Sequence, residues 1–235
     1  MNNSTLPPDA FPEQLKKSEP LRTRTGPRQS KADKKAAKRS RNQTKLLSLL
    51  ALAEARRQVR DVLQNADRYY WTACSGGSLF LRLDDGSLLQ VFSPAYAVHQ
   101  PTDVLGLSKR RTSYVVNGRI QQQEYHERAG GEIVMSQTFV SGRGDVGSPQ
   151  RACLVKGERS ITGPGQTLVC EPGSIVRQQP SEGAVVITRY EDTPGFMARK
   201  FWPLGEDFVR ELAPPAVAED IQAIVGAALA AWSDQ

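Results

Sequence analysis

Residue types that build metal sites and disulfide frameworks are scarce in this sequence. Its 235 residues include two histidines, His99 and His126, and three widely spaced cysteines, Cys74, Cys153 and Cys170, with no C-x-x-C pair. A three-histidine metal site is therefore impossible, and neither a structural zinc site nor a disulfide framework is expected. An odd number of separated cysteines is typical of a protein from a reducing, intracellular compartment.

Long apolar runs are also missing. No stretch approaches the roughly 20 apolar residues that a membrane-spanning helix needs, so no transmembrane segment is expected. Residues 1–20 contain no apolar core and carry Asp9, Glu13 and Glu19. This composition is not that of a secretory signal peptide.

Patterns that mark catalytic and cofactor sites are missing too. No G-x-S-x-G elbow occurs, and no cysteine lies in a recognisable nucleophile context. The stretch 142–147 matches G-x-G-x-x-G, but Ser148-Pro149-Gln150 follows where the phosphate-binding helix of a dinucleotide fold would begin, so we interpret it as a flexible loop. The sequence predicts no enzyme, no catalytic residue, no cofactor and no metal. The alternative is a metal site that joins both histidines to Glu124, Glu127 or Glu132.

Positive charge is what the sequence has in excess, and the excess lies near the N-terminus. Residues 1–60 carry a net charge of +10, which against a chain total of +6 leaves −4 for residues 61–235. Residues 22–45 contain a single acid, Asp33, and ten basic side chains. These are Arg22, Arg24, Arg28, Lys31, Lys34, Lys35, Lys38, Arg39, Arg41 and Lys45.

A basic tract of this size predicts contact with the phosphates of nucleic acid, RNA or DNA, without reading of the bases. A membrane surface, an acidic protein and a solubilising tail are the alternatives. Six further residues complete the candidate nucleic-acid site, three on a predicted helix and three in a predicted loop. They are Arg56, Arg57 and Arg60, and Lys109, Arg110 and Arg111.

Aromatic side chains lie next to a charge at Arg68-Tyr69-Tyr70-Trp71. Nucleic-acid bases stack on such rings, with about 1 to 3 kcal/mol for each base. Three aromatics between a helix and a strand are more typical of a hydrophobic core, and core is the interpretation we prefer.

Changes in composition predict four segments. Residues 1–43 are poor in apolar side chains and are expected to be a disordered basic arm. Residues 44–67 contain no Gly or Pro and predict an amphipathic helix. Residues 68–203 contain short β patterns separated by turn signals, and residues 204–235 predict a helical, acidic C-terminal segment with an apolar stripe.

The β patterns predict an antiparallel sandwich or a jelly-roll-like barrel, since no helix interrupts them. Asp84-Asp85-Gly86-Ser87 and Asn117-Gly118 are expected to form hairpin turns. The predicted strands are 78–83, 88–92, 112–116, 119–127, 132–140, 152–156, 166–170, 174–179 and 184–190.

The stretch 165–190 resembles the second conserved motif of cupin barrels, in which a strand, a Pro-Gly turn and two further strands follow one another. The resemblance rests on Pro172-Gly173, Glu182-Gly183 and Ala184-Val185-Val186-Ile187. It implies a jelly-roll-like domain. Val176 stands where that family has a metal-binding histidine, so the resemblance implies no cupin metal chemistry.

Two functions fit this layout. A basic arm, a helix and a β domain are similar in arrangement to small viral coat proteins, which favours a non-enzymatic, nucleic-acid-binding structural protein, in a virion if viral or in the nucleus if eukaryotic. It would oligomerise through helix faces from Leu46 to Leu52 and from Val217 to Trp232. The alternative is a cupin-like β-barrel module that binds a ligand or regulates, with a basic targeting tail. A concave pocket inside the β domain favours the module, and a filled interior with exposed apolar helix faces favours assembly.

Overall fold

The structure, a computed structural model, describes residues 49–74, 77–97, 104–140, 144–193, 195, 197–206 and 215–233. Within these ranges, eleven strands form two antiparallel sheets, and a helix lies at either end. The predicted fold class is therefore confirmed. The predictions for the basic arm, including its ten basic residues, and for His99 concern residues outside these ranges.

The elements follow one another in a simple order. Helix α1 is described from 49 to 64, and a 3-10 turn, Ala66–Arg68, follows it. Helix α2 is Ala218–Ser233. The strands between them are β1 Thr72–Cys74, β2 Ser78–Arg82, β3 Leu88–Phe92, β4 Val104–Gly106, β5 Arg110–Asn117, β6 Ile120–Val140, β7 Gly144–Thr162, β8 Thr167–Cys170, β9 Ile175–Pro180, β10 Ala184–Glu191 and β11 Ala198–Pro203.

The first sheet has the strand order β1-β2-β3-β10-β5-β8, and the second has the order β11-β4-β9-β6-β7. In the second sheet β4 pairs with β9 and β11, and β6 pairs with the same two strands. These four strands therefore close a ring, with β7 paired to the outside of β6. The strand, turn, strand and strand pattern predicted for 165–190 is present as β8, β9 and β10.

The hairpin predicted at Asp84-Asp85-Gly86-Ser87 is present and joins β2 to β3. The hairpin predicted at Asn117-Gly118 is not, because β5 belongs to the first sheet and β6 to the second. Gly118 has a φ of +69°, and a Cβ there would lie 2.8 Å from the Cα of Ala184. The buried Asn117 amide donates a hydrogen bond to the Gly183 carbonyl at 3.2 Å. The dipeptide therefore forms a corner between the sheets.

Strand β6 joins two segments that were predicted as separate strands. Glu127 and Glu132 both lie opposite Leu154 of β7, so residues 128–131 form a bulge. Gly130 has a φ of +83°, and a Cβ on Gly131 would lie 2.5 Å from the backbone of Leu154. The glycines let the strand continue past the bulge, pairing with β9 before it and with β11 after it.

Two other local predictions need correction. Residues 144–147, part of the predicted flexible loop, belong to β7, and residues 141–143 lie outside the described ranges. The structure thus has a strand where a dinucleotide-binding helix would start. Strands β1, β4 and β11 were not predicted, because two are only three residues long and β11 begins Ala-Arg-Lys, which lacks an apolar pattern.

The main hydrophobic core lies between the first sheet and the two helices. Val59 and Leu63 of α1 and four side chains of α2 are buried there against apolar residues of β2, β3, β5 and β10. Those of α2 are Ile224, Val225, Ala228 and Trp232. The apolar stripe predicted for the C-terminal helix therefore covers its own β domain.

The β2–β3 turn leads to a prediction about acid stability. The Asp85 carboxylate accepts hydrogen bonds from the Ser87 hydroxyl at 2.5 Å and the Ser87 N–H at 3.0 Å, and it pairs with Arg189 at 2.8 Å. These contacts, the Ser87 hydroxyl first, lower the pKa of Asp85 from 3.8 to about 2. A carboxylate whose pKa is lower in the folded state stabilises the fold above its unfolded pKa and loses that effect as the pH falls to its folded pKa.

We therefore expect Asp85→Asn to be less stable than the wild type at pH 7, with a difference that closes between about pH 4 and about pH 2. Urea unfolding of both proteins across this range measures it. A stability difference that is the same at pH 2 and pH 7 would contradict the assignment.

Candidate ligand pocket between the sheets

The space between the two sheets is more polar than the core beneath the helices. Alternate side chains of a strand face opposite sides of its sheet. On β10, Val185 and Ile187 pack with the helices, whereas Ala184 and Val186 pack with Ile120 of the second sheet. Thr188 continues the second set. The face of the first sheet that is turned toward the second sheet therefore carries hydroxyl, amide and guanidinium groups as well as apolar side chains.

Three buried side chains of the first sheet form a hydrogen-bonded chain. The Thr188 hydroxyl donates to the Gln90 carbonyl oxygen at 2.7 Å, and the oxygens of Ser113 and Thr188 are 2.9 Å apart. Because a hydroxyl donates only one hydrogen, Ser113 must be the donor to Thr188. The chain ties β3, β10 and β5 together through side chains.

A second polar cluster connects the sheets. The Gln122 carbonyl oxygen, on β6, accepts hydrogen bonds from the Gln178 amide at 2.7 Å and from the Cys170 thiol at 3.1 Å. The Arg111 guanidinium, at the start of β5, donates to the Cys170 sulfur at 3.8 Å. The amide of Gln122 in the second sheet therefore contacts the Cys170 thiol of the first sheet, and the Arg111 guanidinium contacts the same sulfur.

A cavity of about 420 Å³ opens beside this cluster. Arg111 and Tyr190 line it from the first sheet, and β4, β6, β9 and β11 line it from the second. Four of the lining residues are apolar, namely Leu105, Leu107, Phe139 and Val176. Four others are basic, namely Lys109, Arg111, Arg199 and Lys200. Among the described residues that line the cavity there is no Asp or Glu.

The four cations differ in how they are compensated. The Lys109 ammonium is 2.6 Å from Asp192, and the Arg199 guanidinium is 2.6 Å from Glu127 and lies over the Phe201 ring. Arg111 makes no ion pair with any described carboxylate, and its buried Nε has no hydrogen-bond partner. Lys200 is buried, at 8 % exposure, and is not without an interaction partner.

A larger cavity of about 730 Å³ lies against β6 and β11 near the bulge. Its charged lining is mixed in sign: Glu124, Glu127, Arg128 and Arg199, with the exposed His126. In the described part of the chain, no group of three or more His, Cys, Asp or Glu side chains is placed to hold a metal ion. A mixed lining offers no preference for ligand charge, so the smaller, cationic cavity is the better candidate site.

The basic residues predicted to bind nucleic acid from the folded domain are engaged within it. Arg57 pairs with Glu54 at 2.7 Å, and Lys109 pairs with Asp192. Arg110 lies 3.3 Å from Glu171 and 3.5 Å from Glu191.

The other three predicted residues contact uncharged groups. The Arg56 Nε donates to the Val116 carbonyl at 3.1 Å, and Arg60 lies over the Trp232 ring at 5.5 Å. Arg111 faces the interior. The structure therefore brings Lys109, Arg110 and Arg111 together at the start of β5. Lys109 and Arg110 are paired with acids, whereas Arg111 makes no ion pair with a described carboxylate.

The aromatic stretch is also divided. Trp71 is buried, and its indole N–H donates to the Ala66 carbonyl at 2.9 Å. Tyr70 is 99 % exposed and Tyr69 is 39 % exposed. The interpretation as core is therefore right for Trp71 and wrong for Tyr70.

Sequence reasoning missed Arg111, Gln178, Tyr190 and Lys200 as parts of a pocket. For Arg111 a signal existed. The buried residues Ser113 and Val115 are two positions apart on β5 and face the same side of the sheet. Arg111 is two positions before Ser113, so strand alternation places it on that side as well. For Lys200 the sequence contains no such signal, since β11 itself was not predicted.

Comparison with known protein families and with curated proteins finds no match for this chain. Within the described residues, no helix is both long and apolar enough to span a bilayer.

The hydrogen-bonded chain beside the pocket leads to a prediction about stability. Thr188→Val removes the hydroxyl that connects Gln90 and Ser113, and both would be left buried without this partner. We expect the free energy of unfolding to fall by about 1–3 kcal/mol. Urea unfolding measures the change.

Thr167→Val is the matched control, because Thr167 is exposed on β8. Its effect should stay within about 0.5 kcal/mol. Equal effects for the two variants would argue against a structural role of the chain.

Proposed function

We propose that the β domain is a ligand-binding or regulatory module and that the basic segment 22–45 holds it on a polyanion. The observation that carries the first part is the cavity between the sheets, which combines apolar lining residues with a few convergent polar groups. Its volume falls within the roughly 300–1,000 Å³ that is usual for small-molecule sites. Two of its lining residues, Arg111 and Gln178, have hydrogen bonds to the cluster of Gln122 and Cys170, and such contacts position the side chains of a specific site.

The helix faces support this choice over a purely structural role. Four apolar side chains between Val217 and Trp232 are buried in the protein's own core, although Val217 itself is exposed. On α1, Leu49 and Leu50 are 54 % and 58 % exposed. An oligomer through the face from Leu46 to Leu52 therefore remains a prediction, whereas most of the α2 stripe is already occupied.

The charge distribution supports the second part. Lys109 and Arg110 of the folded domain are neutralised by Asp192, Glu171 and Glu191. Residues 22–45 contain ten basic side chains and one acid. Contacts to phosphates are therefore expected from this segment rather than from the start of β5, and such contacts do not depend on base sequence. The exposed rings of Tyr69 and Tyr70 provide additional surfaces on which unpaired bases can stack.

Ligand binding in the cavity is testable with N-phenyl-1-naphthylamine, an uncharged apolar dye that fluoresces strongly out of water. We expect a saturable fluorescence increase with one dye for each chain. Ala198→Phe should abolish most of it, because Ala198 lines the cavity and the larger ring occupies the space.

Ala129→Phe is the control for this substitution, since Ala129 is exposed in the β6 bulge. It should bind the dye like the wild type, and circular dichroism should show that both variants are folded. If Ala198→Phe binds the dye as the wild type does, the cavity is not the ligand site.

Polyanion binding is testable through its salt dependence with fluorescein-labelled 20-base-pair DNA. In the full chain, Lys34→Gln/Lys35→Gln should lower the slope of log affinity against log salt concentration by up to about 1.8, because each phosphate contact contributes about 0.9. Fluorescence anisotropy at salt concentrations between about 50 and 500 mM measures the slope.

The matched variant Lys109→Gln/Arg110→Gln removes the same charge from the folded domain. It should change the slope much less, since its cations are paired with acids. A larger change for Lys109→Gln/Arg110→Gln than for Lys34→Gln/Lys35→Gln would place the contact on the folded domain, and a wild-type affinity independent of salt would exclude a phosphate-directed segment.

A further inference from the structure

We infer that the cavity between the sheets binds a small organic anion, in which one carboxylate or phosphate group is attached to an apolar body. The inference rests on the proposed ligand-binding function and adds the chemical class of the ligand. It is carried by Arg111, by the sign of the charges around the cavity and by the presence of both apolar and basic residues in its lining.

Arg111 is the group that an anion would meet. Arg111 is half-buried, and a guanidinium partly removed from water is unfavourable unless a counter-charge and hydrogen-bond acceptors replace the lost water. The described residues supply one weak acceptor, the Cys170 sulfur at 3.8 Å, and the buried Nε has no acceptor. The planar guanidinium matches carboxylate and phosphate oxygens in pairs of hydrogen bonds. An oxyanion in the cavity would therefore supply the negative charge and the hydrogen-bond acceptors that the described residues do not give to Arg111.

The other charged residues of the lining have the same sign. Lys200 lies on β11 and is buried, and Lys109 and Arg199 line the cavity with their own carboxylate partners. A cavity lined by positively charged groups raises the local concentration of anions and lowers that of cations. The effect is strongest where the cavity is surrounded by protein of low dielectric constant instead of water. Since none of the described lining residues is acidic, no internal carboxylate competes with the ligand for Arg111.

The apolar lining residues indicate the chemistry of the part of the ligand that carries no charge. Leu105, Leu107, Phe139 and Val176 are apolar residues of the lining, and burial of a ligand's apolar body against apolar side chains contributes roughly 25 cal/mol for each Å². An inorganic anion would leave these side chains uncovered. The combination predicts a ligand with a charged end and an apolar end, and it disfavours sugars and other ligands that are polar throughout.

The experiment compares ligands that share one chain and differ in the head group. Octanoate, octyl phosphate, 1-octanol and octylamine are titrated into the full-length protein by isothermal calorimetry, together with acetate and inorganic phosphate. We expect octanoate or octyl phosphate to bind at least tenfold more tightly than 1-octanol, and octylamine to bind more weakly still. The better of the two anions identifies the head group. Acetate and inorganic phosphate should bind at least tenfold more weakly than their octyl counterparts.

The variant Arg111→Met tests the role of the guanidinium. It should weaken the binding of the preferred anion at least tenfold and leave 1-octanol within about twofold. Because it also removes a half-buried guanidinium whose buried Nε has no hydrogen-bond partner, the ligand-free protein should melt at the same temperature as the wild type or higher. A residue needed only for folding would lower the melting temperature. Arg110→Met is the control, and it should change anion affinity less than about threefold, since its guanidinium is paired with Glu171 and Glu191 and it does not line the cavity.

The outcomes separate this inference from the function on which it rests. If 1-octanol binds as tightly as the anions, or if folded Arg111→Met retains anion affinity, the inference is wrong while the cavity remains a ligand site. If inorganic phosphate binds as tightly as octyl phosphate, the apolar half of the inference is wrong. If neither the octyl ligands nor N-phenyl-1-naphthylamine binds, both the inference and the ligand-binding function fail.

Discussion

The arrangement of this protein depends on how its first sheet distributes apolar side chains between its two faces. The face beneath the helices buries Leu79, Leu89, Val91 and Val185 in one continuous core with α1 and α2. Hydrophobic burial of this kind is the main favourable term in folding. Because that core lies on the outside of the sandwich, the inner face is free to carry Gln90, Ser113 and Thr188. The helices therefore stabilise the fold in a way that permits a polar interior and an open cavity.

Much of the fold could be predicted from residue patterns, and the exceptions have physical reasons. The spacing of turn signals and the absence of intervening helices were sufficient for an antiparallel two-sheet domain. Asn117-Gly118 was assigned to a hairpin because local chemistry favours a tight turn there, but pairing partners are set by distant strands. The same limit applies to β6, where Gly130 and Gly131 resemble a loop in isolation and form a bulge only because β7 continues the pairing.

The candidate site was less predictable than the fold. Lys109-Arg110-Arg111 has the composition of a solvated basic loop, and only strand alternation separates Arg111 from its neighbours. Net charge also proved a poor guide to the surface of the folded domain, because Glu171, Glu191 and Asp192 come from other strands or loops and approach Lys109 and Arg110 only in three dimensions. The concentration of charge within 22–45, by contrast, is visible in the sequence alone.

The ring formed by β4, β9, β6 and β11 has a consequence for self-association. In the closed ring each of these strands has a neighbouring strand on both sides. In the described part of the chain, β7 is therefore the only strand of this sheet whose outer side has no partner strand. It is 19 residues long. Exposed backbone of that length is a template for fibril growth. Pro149 has no backbone N–H and so removes one hydrogen-bond donor from the strand. Four charged residues of the strand are exposed: Arg151, Lys156, Glu158 and Arg159. Proline and charged side chains along an edge strand oppose pairing with a strand of another molecule, and β7 carries both.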